Sequence, residues 1–354
     1  MSVTISSIIF FEKLENALNM GMPFTAYKLP GSSEVRAFFQ RNKALNYTDN
    51  YNLSGFVFAP FDNVKPTIVF PLEDSDVYTT QFIEDKLSVI VPNKDFSHQT
   101  EETKFAYINL VKNAIDFLKT TKNLKVVLSR KELFAVDDFE LLATFKKLLS
   151  TYKNAMVYVW FHPKVGLWLG ATPEALLKVN NDKFSTMSLA GTQVYKDNKN
   201  VVWQDKEVQE QQFVTDFILA QIEVDVTVSK PYTIKAGNIL HICTDISGQI
   251  TAKLSLDGLL KNLHPTPAVC GLPQKRAKAF ILDIENYDRT FYTGFFGELN
   301  INNRSNLFVN LRCMQVLKTG IEIYVGGGIT IDSNPEKEWE ETVVKSKVML
   351  KVLN

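Results

Sequence analysis

The sequence predicts an α+β fold with sizeable antiparallel sheets, and two observations carry that prediction. Helix-patterned and strand-patterned segments do not alternate regularly along the 354 residues, which argues against a doubly wound parallel sheet. Neighbouring strand candidates are joined by short turns, as in antiparallel pairs.

In chain order, the first hundred residues are Phe-rich and irregular, with SGFVFAPF (54–61) and PTIVFP (66–71) as short strands between turn residues. Phe105, Ile108, Val111, Ile115 and Leu118 fall at helical spacing, so roughly 101–121 is an amphipathic helix. LKVVLSR (124–130) reads as a buried strand, and Asp137 or Asp138 is the candidate cap of a helix through Leu149. Strands follow at AMVYVWF (155–161), GLWLG (166–170), EALLKV (174–179) and KFSTMSLAG (183–191), then a long helix over roughly 203–224. After a middle of mixed helices come strands GFFGELN (294–300), NLFVNLRCMQVL (306–317) and IEIYVGG (321–327), and a last helix from about 334.

Composition narrows the function. With 39 Lys+Arg against 39 Asp+Glu the net charge is zero, so a nucleic-acid partner is not expected. The longest apolar runs fall far short of the ~20 residues of a membrane helix, and the N-terminus has no basic stretch of the kind that opens a signal peptide. Cys243, Cys270 and Cys313 are odd in number and widely spaced, with no C-x-x-C, which suits a reducing cytoplasm and neither a disulfide framework nor a zinc site. His98, His162, His241 and His264 lack ligand spacing. No linker or repeat divides the chain, and one structural domain is expected, with no exposed heptad pattern to argue against a monomer.

Two carboxylate pairs stand out: Glu207-x-x-Glu210 in the long helix and Glu338-x-x-Glu341 in the last one. Residues three apart share a helix face. If the two helices meet, four carboxylates converge and require a cation, and an all-oxygen set with few protein ligands suits Mg²⁺. Ser333 and Glu336 have capping-box spacing, which gives them a structural role. Lys125 lies among Val126, Val127 and Leu128: either its head reaches water at a strand end, or burial lowers its pKa and makes it a base. Glu174 follows Gly170-Ala-Thr-Pro173 at a turn. Arg312, in an apolar strand, requires an anionic partner, from protein or ligand. Gly326-Gly-Gly328 has neither a P-loop lysine nor dinucleotide spacing but permits close backbone approach to a ligand. Leu189-Ala-Gly-Thr192 offers backbone N–H groups to an anion.

Together these pieces resemble a known family. Lys125-Val-Val-Leu-Ser-Arg130, Gly170-Ala-Thr-Pro-Glu174, Leu189-Ala-Gly-Thr192, Lys206-Glu-Val-Gln-Glu210, His264-Pro-Thr-Pro-Ala268 with Gly271, and Glu285-x3-Arg289-x2-Tyr292-x-Gly294 occur in order. Phe308-x2-Leu-Arg312, Tyr324-Val-Gly-Gly-Gly328 and Pro335-Glu-Lys-Glu-Trp-Glu-Glu341 follow. The order and spacing are similar to those of the chorismate-utilising enzymes, and within them of the isochorismate synthases. The resemblance covers about residues 100–354 as the chorismate-binding region, with 1–100 a loosely matching N-terminal part of the same fold.

The resemblance implies two large antiparallel sheets packed together with helices outside and the site between them. It implies Mg²⁺ bridging the two E-x-x-E helices and the ring carboxylate of chorismate, with Glu210 and Glu341 as the closest ligands and Glu207 and Glu338 nearby. It implies Lys125 as general base and Glu174 as general acid, with Arg312 and Tyr324 holding the pyruvyl carboxylate. Gly191, Thr192, Ala268, Gly327 and Lys345 match further substrate positions, and His241 a site position of open role. Water adds at ring carbon 2 while the hydroxyl on carbon 4 leaves, so a neutral lysine and a protonated carboxyl are required together. Lys125, with Gln193 after the A-G-T motif and Ala268, departs from the aminating members and points to water as nucleophile. A salicylate synthase and a catalytically silent relative stay open, as does the use of the product in menaquinone or siderophore synthesis.

Overall fold

The computed structural model describes residues 2–83, 100–121, 124–136, 139–195, 201–236, 239–251 and 253–353. The N-terminal part holds β1 (Val3–Thr4), α1 (Ser7–Asn19), β2 (Phe24–Lys28), β3 (Glu34–Gln40), β4 (Asn46–Thr48), β5 (Gly55–Ala59), β6 (Thr67–Pro71) and β7 (Ser75–Gln81). Next come α2 (Glu101–Thr120), β8 (Lys125–Phe134), α3 (Leu141–Thr151), β9 (Met156–His162), β10 (Gly166–Thr172), β11 (Ala175–Asn180), β12 (Lys183–Val194) and α4 (Asp205–Gln221). The chain continues through β13 (Val226–Val228), β14 (Tyr232–Ala236), β15 (Ile239–Gln249), α5 (Leu256–Leu263), β16 (Gly271–Leu272) and α6 (Gln274–Ile284). It closes with β17 (Phe295–Ile301), β18 (Arg304–Val309), β19 (Cys313–Leu317), β20 (Gly320–Ile329) and α7 (Pro335–Leu350).

These strands form two ten-stranded sheets. The first runs β1-β7-β3-β2-β9-β10-β19-β20-β8-β16; the second runs β13-β15-β12-β11-β18-β17-β5-β6-β4, with β14 added on β15. Among the described strands, β1 and β7 pair in parallel and the other pairs are antiparallel, as the short connections require. An aromatic layer packs between the sheets: Phe58 stacks on Trp160 at 4.7 Å and on Phe291 at 4.3 Å, and Phe70 stacks on Trp160 at 5.1 Å. The alternation of VYVW in β9 explains this split. Val157 and Val159 face the outer cluster with α1 and α3, while Tyr158 and Trp160 face the inter-sheet layer. α4 and α5 cover the outer face of the second sheet, and α2, α6 and Trp339 of α7 cover β8.

Several sequence expectations need correction. The predicted strand 306–317 is two strands in different sheets: the chain leaves β18 at Val309, crosses through Asn310-Leu311-Arg312 and enters β19. Arg312 is therefore at a crossing, with φ +48°, and not inside a strand. The strand predicted over 321–327 extends to Ile329 as β20 and takes in all of Gly326–Gly328, paired with Ser129, Leu128 and Val127 of β8. The middle expected to be helical holds the long β14–β15 hairpin. The final helix is capped by Asn334, whose side chain accepts from Lys337 N at 3.1 Å; Ser333 and Glu336 form no capping box. Asp137 and Asp138 lie outside the described residues, and Glu140 is the residue that precedes α3. In α2 Phe105 is 66% exposed, while Tyr107 is 2% exposed and takes the inward place.

Candidate active site

Two of the points where the chain passes between the sheets are neighbours: from β10 to β11 through Pro173-Glu174, and from β18 to β19 through Asn310–Arg312. The two crossings are tied together. Ala171 N donates to Arg312 O at 3.1 Å and Val309 N to Glu174 O at 3.0 Å. A crossing residue belongs to neither sheet's ladder, so its side chain is available to the cleft, and Glu174 and Arg312 both line a cavity of about 280 Å³ there.

The same cavity is lined by Lys125 from β8, Gly191 from β12, Glu207 and Glu210 from α4, and His241 from β15. Ala268, Tyr324 and Gly327 of β20, and Glu338, Glu341 and Lys345 of α7 complete it. Thus segments far apart in sequence bring together thirteen of the expected residues. Thr192 has its backbone in β12, and its side chain lies outside the described residues.

Lys125 is 6% exposed, so it is no strand-end lysine with its head in water. Its side chain runs across β20, where a Cβ on residue 328 would meet Lys125 Cε at 2.5 Å; glycine at 328 is what lets the lysine pass. Burial lowers its pKa, against the opposing pull of Glu210, Glu341 and Glu174. Glu174, 7% exposed, is no solvated turn carboxylate. Burial pushes its pKa up to about 7, with Lys125 and Arg312 pulling the other way.

His241 is held by its surroundings in the neutral form. Burial and the Arg312 charge lower its pKa to about 4. Its Nδ1 lies 3.0 Å from Gly191 O, which can only accept, so Nδ1 carries the proton and Nε2 accepts from Arg312 Nη2 at 3.4 Å. Tyr324 is stacked between Trp168 (5.3 Å) and Tyr292 (5.5 Å). Its hydroxyl lies 3.1 Å from both Gln315 Oε1 and Glu322 Oε2.

The four carboxylates come from two helices that flank the cavity, but each has its own partner. Glu341 pairs with Lys345 at 2.6 Å, and that contact holds its carboxyl below the usual range. Glu338 accepts from Ser333 Oγ at 2.7 Å, and burial raises its pKa. Glu207 accepts from Gln204 N at 2.8 Å, and Glu210 lies 4.0 Å from Lys206. Among the described residues no three His, Cys, Asp or Glu side chains are close enough to hold a metal by themselves. Glu338 Oε2 and Glu341 Oε1 do lie within 3.4 and 3.9 Å of one point beside Gly327. Hard oxygens in this number fit Mg²⁺, which takes one or two carboxylates and completes its shell with waters and substrate.

Tyr107, not foreseen from the sequence, packs next to the site rather than lining it. Its hydroxyl lies 3.8 Å from the point where a Cβ on Gly327 would stand, and burial with the Glu338 and Glu341 charges pushes its pKa well up. One signal in the sequence was available: a tyrosine at a position where Phe105 gave the apolar stripe an equally good start.

A family model described as chorismate binding enzyme matches residues 73–354. The chain belongs to the chorismate-binding enzyme family. Chorismate-binding relatives include Isochorismate synthase 2, chloroplastic, of Arabidopsis thaliana, 31% identical over 288 residues, covering 76% of this chain and 50% of the relative. The chain thus spans about half the length of that plant protein. Isochorismate synthase EntC of Escherichia coli K12 is 27% identical over 319 residues, covering 83% of this chain and 79% of the relative. A solved Bacillus anthracis chain named as a 2,3-dihydroxybenzoate-specific isochorismate synthase, DhbC, superposes with a TM-score of 0.80 at 23% identity, covering 97% of this chain and 99% of that one. That likeness shows the shared two-sheet α+β fold.

Proposed function

We propose that this chorismate-binding chain is an isochorismate synthase, adding water at ring carbon 2 of chorismate with loss of the hydroxyl on carbon 4. The observation that carries the reading is the opposite displacement of two buried groups in one cavity: Lys125 lowered, Glu174 raised to about 7. A neutral lysine takes the proton of the incoming water, and a protonated carboxyl gives one to the departing hydroxyl. Arg312, oriented by neutral His241, offers a planar fork to the pyruvyl carboxylate with Tyr324 beside it, while Gly191, Ala268 and Lys345 are further substrate contacts. When Mg²⁺ is bound, with Glu210 and Glu341 as closest ligands and Glu207 and Glu338 beside them, it stabilises negative charge at the ring carboxylate. The names of the plant and Escherichia coli relatives agree with this reading.

Incubation of metal-stripped protein with chorismate and added Mg²⁺ tests it. Isochorismate is the expected product; salicylate with pyruvate, anthranilate when ammonia is supplied, or no turnover overturns the assignment. Glu210→Ala and Glu341→Ala each abolish turnover on this reading, and full activity in EDTA removes the metal from it.

A further inference from the structure

Tyr107 comes from α2, a helix that supplies none of the family motifs, and its hydroxyl stands beside Gly327 of the cavity lining. It is 2% exposed, and among the described residues its hydroxyl has no hydrogen-bond partner. A buried O–H left unpaired is costly and points to a partner that arrives with a ligand. The hydroxyl lies 3.8 Å from the point where a Cβ on Gly327 would stand, and Glu338 Oε2 and Glu341 Oε1 lie 3.4 and 3.9 Å from the same point. Three oxygens from two helices thus surround a small space that exists because residue 327 has no side chain. These are ordinary contact distances, so an alanine methyl would enter without a clash and fill it. Ser333 holds Glu338 Oε1 at 2.7 Å, which leaves Oε2 as the edge turned to the space.

We infer that Tyr107 is a positioning residue for the cation site: its hydroxyl donates to the Glu338–Glu341 carboxylate edge and accepts from a water carried by the bound cation, and Gly327 keeps room for that water. A phenol can do both at once, Mg²⁺ keeps several waters, and partners beyond the direct ligands set the orientation of those ligands. The inference rests on the Mg²⁺ reading above.

The test is calorimetric titration of Mg²⁺ alone into metal-stripped wild type, Tyr107→Phe and Gly327→Ala, with melting temperatures on the same preparations. Tyr107→Phe is expected to weaken Mg²⁺ binding about 10- to 100-fold, while its metal-free melting temperature stays equal or rises, because the deleted hydroxyl had no partner. Gly327→Ala is expected to fold normally and to weaken Mg²⁺ binding as well, and it keeps the inference testable if Tyr107→Phe does not fold. Unchanged affinity in either variant overturns the inference, and so does a lower melting temperature of Tyr107→Phe with unchanged affinity, the mark of a purely structural tyrosine. A wild type that binds no Mg²⁺ overturns the metal reading itself, and this inference with it.

Discussion

Two sets of opposite charges are buried along β8, and the protein treats them in opposite ways. Glu285 and Arg289 meet at 2.6 Å with both side chains at most 2% exposed. Glu285 Oε1 also accepts from the backbone N and the hydroxyl of Ser129 at 2.7 and 2.9 Å. Arg289 uses all five N–H groups: two on Glu285 and the rest on Val127 O, Val269 O and Thr293 Oγ1. Lys125 and Glu174 are equally buried, yet among the described residues neither is in an ion pair, and their pKa values move toward neutrality. Both sets have lost their water. In the first, hydrogen bonds offset the loss and the result is a strut between β8, the Ala268–Val269 segment and Thr293. In the second, neighbouring charges offset the loss only in part and both groups shift toward neutrality, which on the proposed reading suits proton transfer. Burial of charge alone does not single out a candidate reactive group; burial without a matched partner does.

The most direct way to break this comparison is Lys125→Met. If the lysine is the base, the turnover rate falls about 10²–10⁴-fold, while the melting temperature holds or rises, since a costly buried amine is replaced by an apolar chain of similar length. Steady-state rates and thermal melts decide it. Near wild-type turnover would leave Lys125 as packing and dissolve the distinction between the two sets.

The mirror experiment is Arg289→Met. Removing one partner of a satisfied buried pair strands the other charge, so stability falls by about 3–5 kcal/mol, with the rate per folded molecule changed far less than in Lys125→Met. Urea denaturation beside active-site-normalised rates checks this. A stable variant with a large rate loss would move Arg289 from strut to reacting group.

The second set was more legible in sequence than its surroundings. Lys125 in a run of valines, Glu174 after a turn proline and the two E-x-x-E pairs each carry a local pattern, and the structure brings all of them to one cavity. What local pattern could not carry is sheet membership. NLFVNLRCMQVL is apolar on both sides of Asn310 and Arg312 and holds no Gly or Pro, so it reads as one strand although the chain changes sheets at Asn310–Arg312; Asn310 is fully buried there, bonded to Tyr158 and Phe291. Two of the three glycines of β20 yield space to Lys125 and to the Tyr107 hydroxyl, a use set by neighbours distant in sequence. In the N-terminal part, β3 pairs with β2 and β7, and β2 pairs with β9, more than a hundred residues on, and such non-local pairing leaves little trace in any short window.

A pH series sharpens the comparison at Glu174, whose pKa stands at about 7 against an ordinary 4.5. An acid with a raised folded-state pKa contributes stability that is complete below 4.5 and is lost as pH rises through about 7. Turnover that needs the protonated carboxyl therefore falls with a single-proton slope above about pH 7. Glu174→Gln, neutral throughout, flattens the stability loss over that window and abolishes the acid-dependent limb of the rate profile. A stability profile unchanged by the substitution would mean that the carboxyl titrates as an exposed group does.

Arg312 gives the smallest effect and the finest distinction, because it has a partner on each side of the comparison: His241 in the protein and, on the proposed reading, a substrate carboxylate. Arg312→Lys keeps the positive charge, and lysine meets the same unfavourable φ of +48° as arginine, so backbone strain cancels between the two proteins. What is lost is the planar fork that makes two parallel hydrogen bonds. If the fork grips substrate, kcat/KM for chorismate falls about tenfold, roughly the 1.4 kcal/mol of a single charge-assisted bond, at nearly constant melting temperature. If Arg312 serves the protein instead, as Arg289 does, the melting temperature falls and kcat/KM of the folded fraction is preserved. Both quantities measured on one preparation place Arg312 with the strut or with the reacting groups, since the two roles move them in opposite combinations.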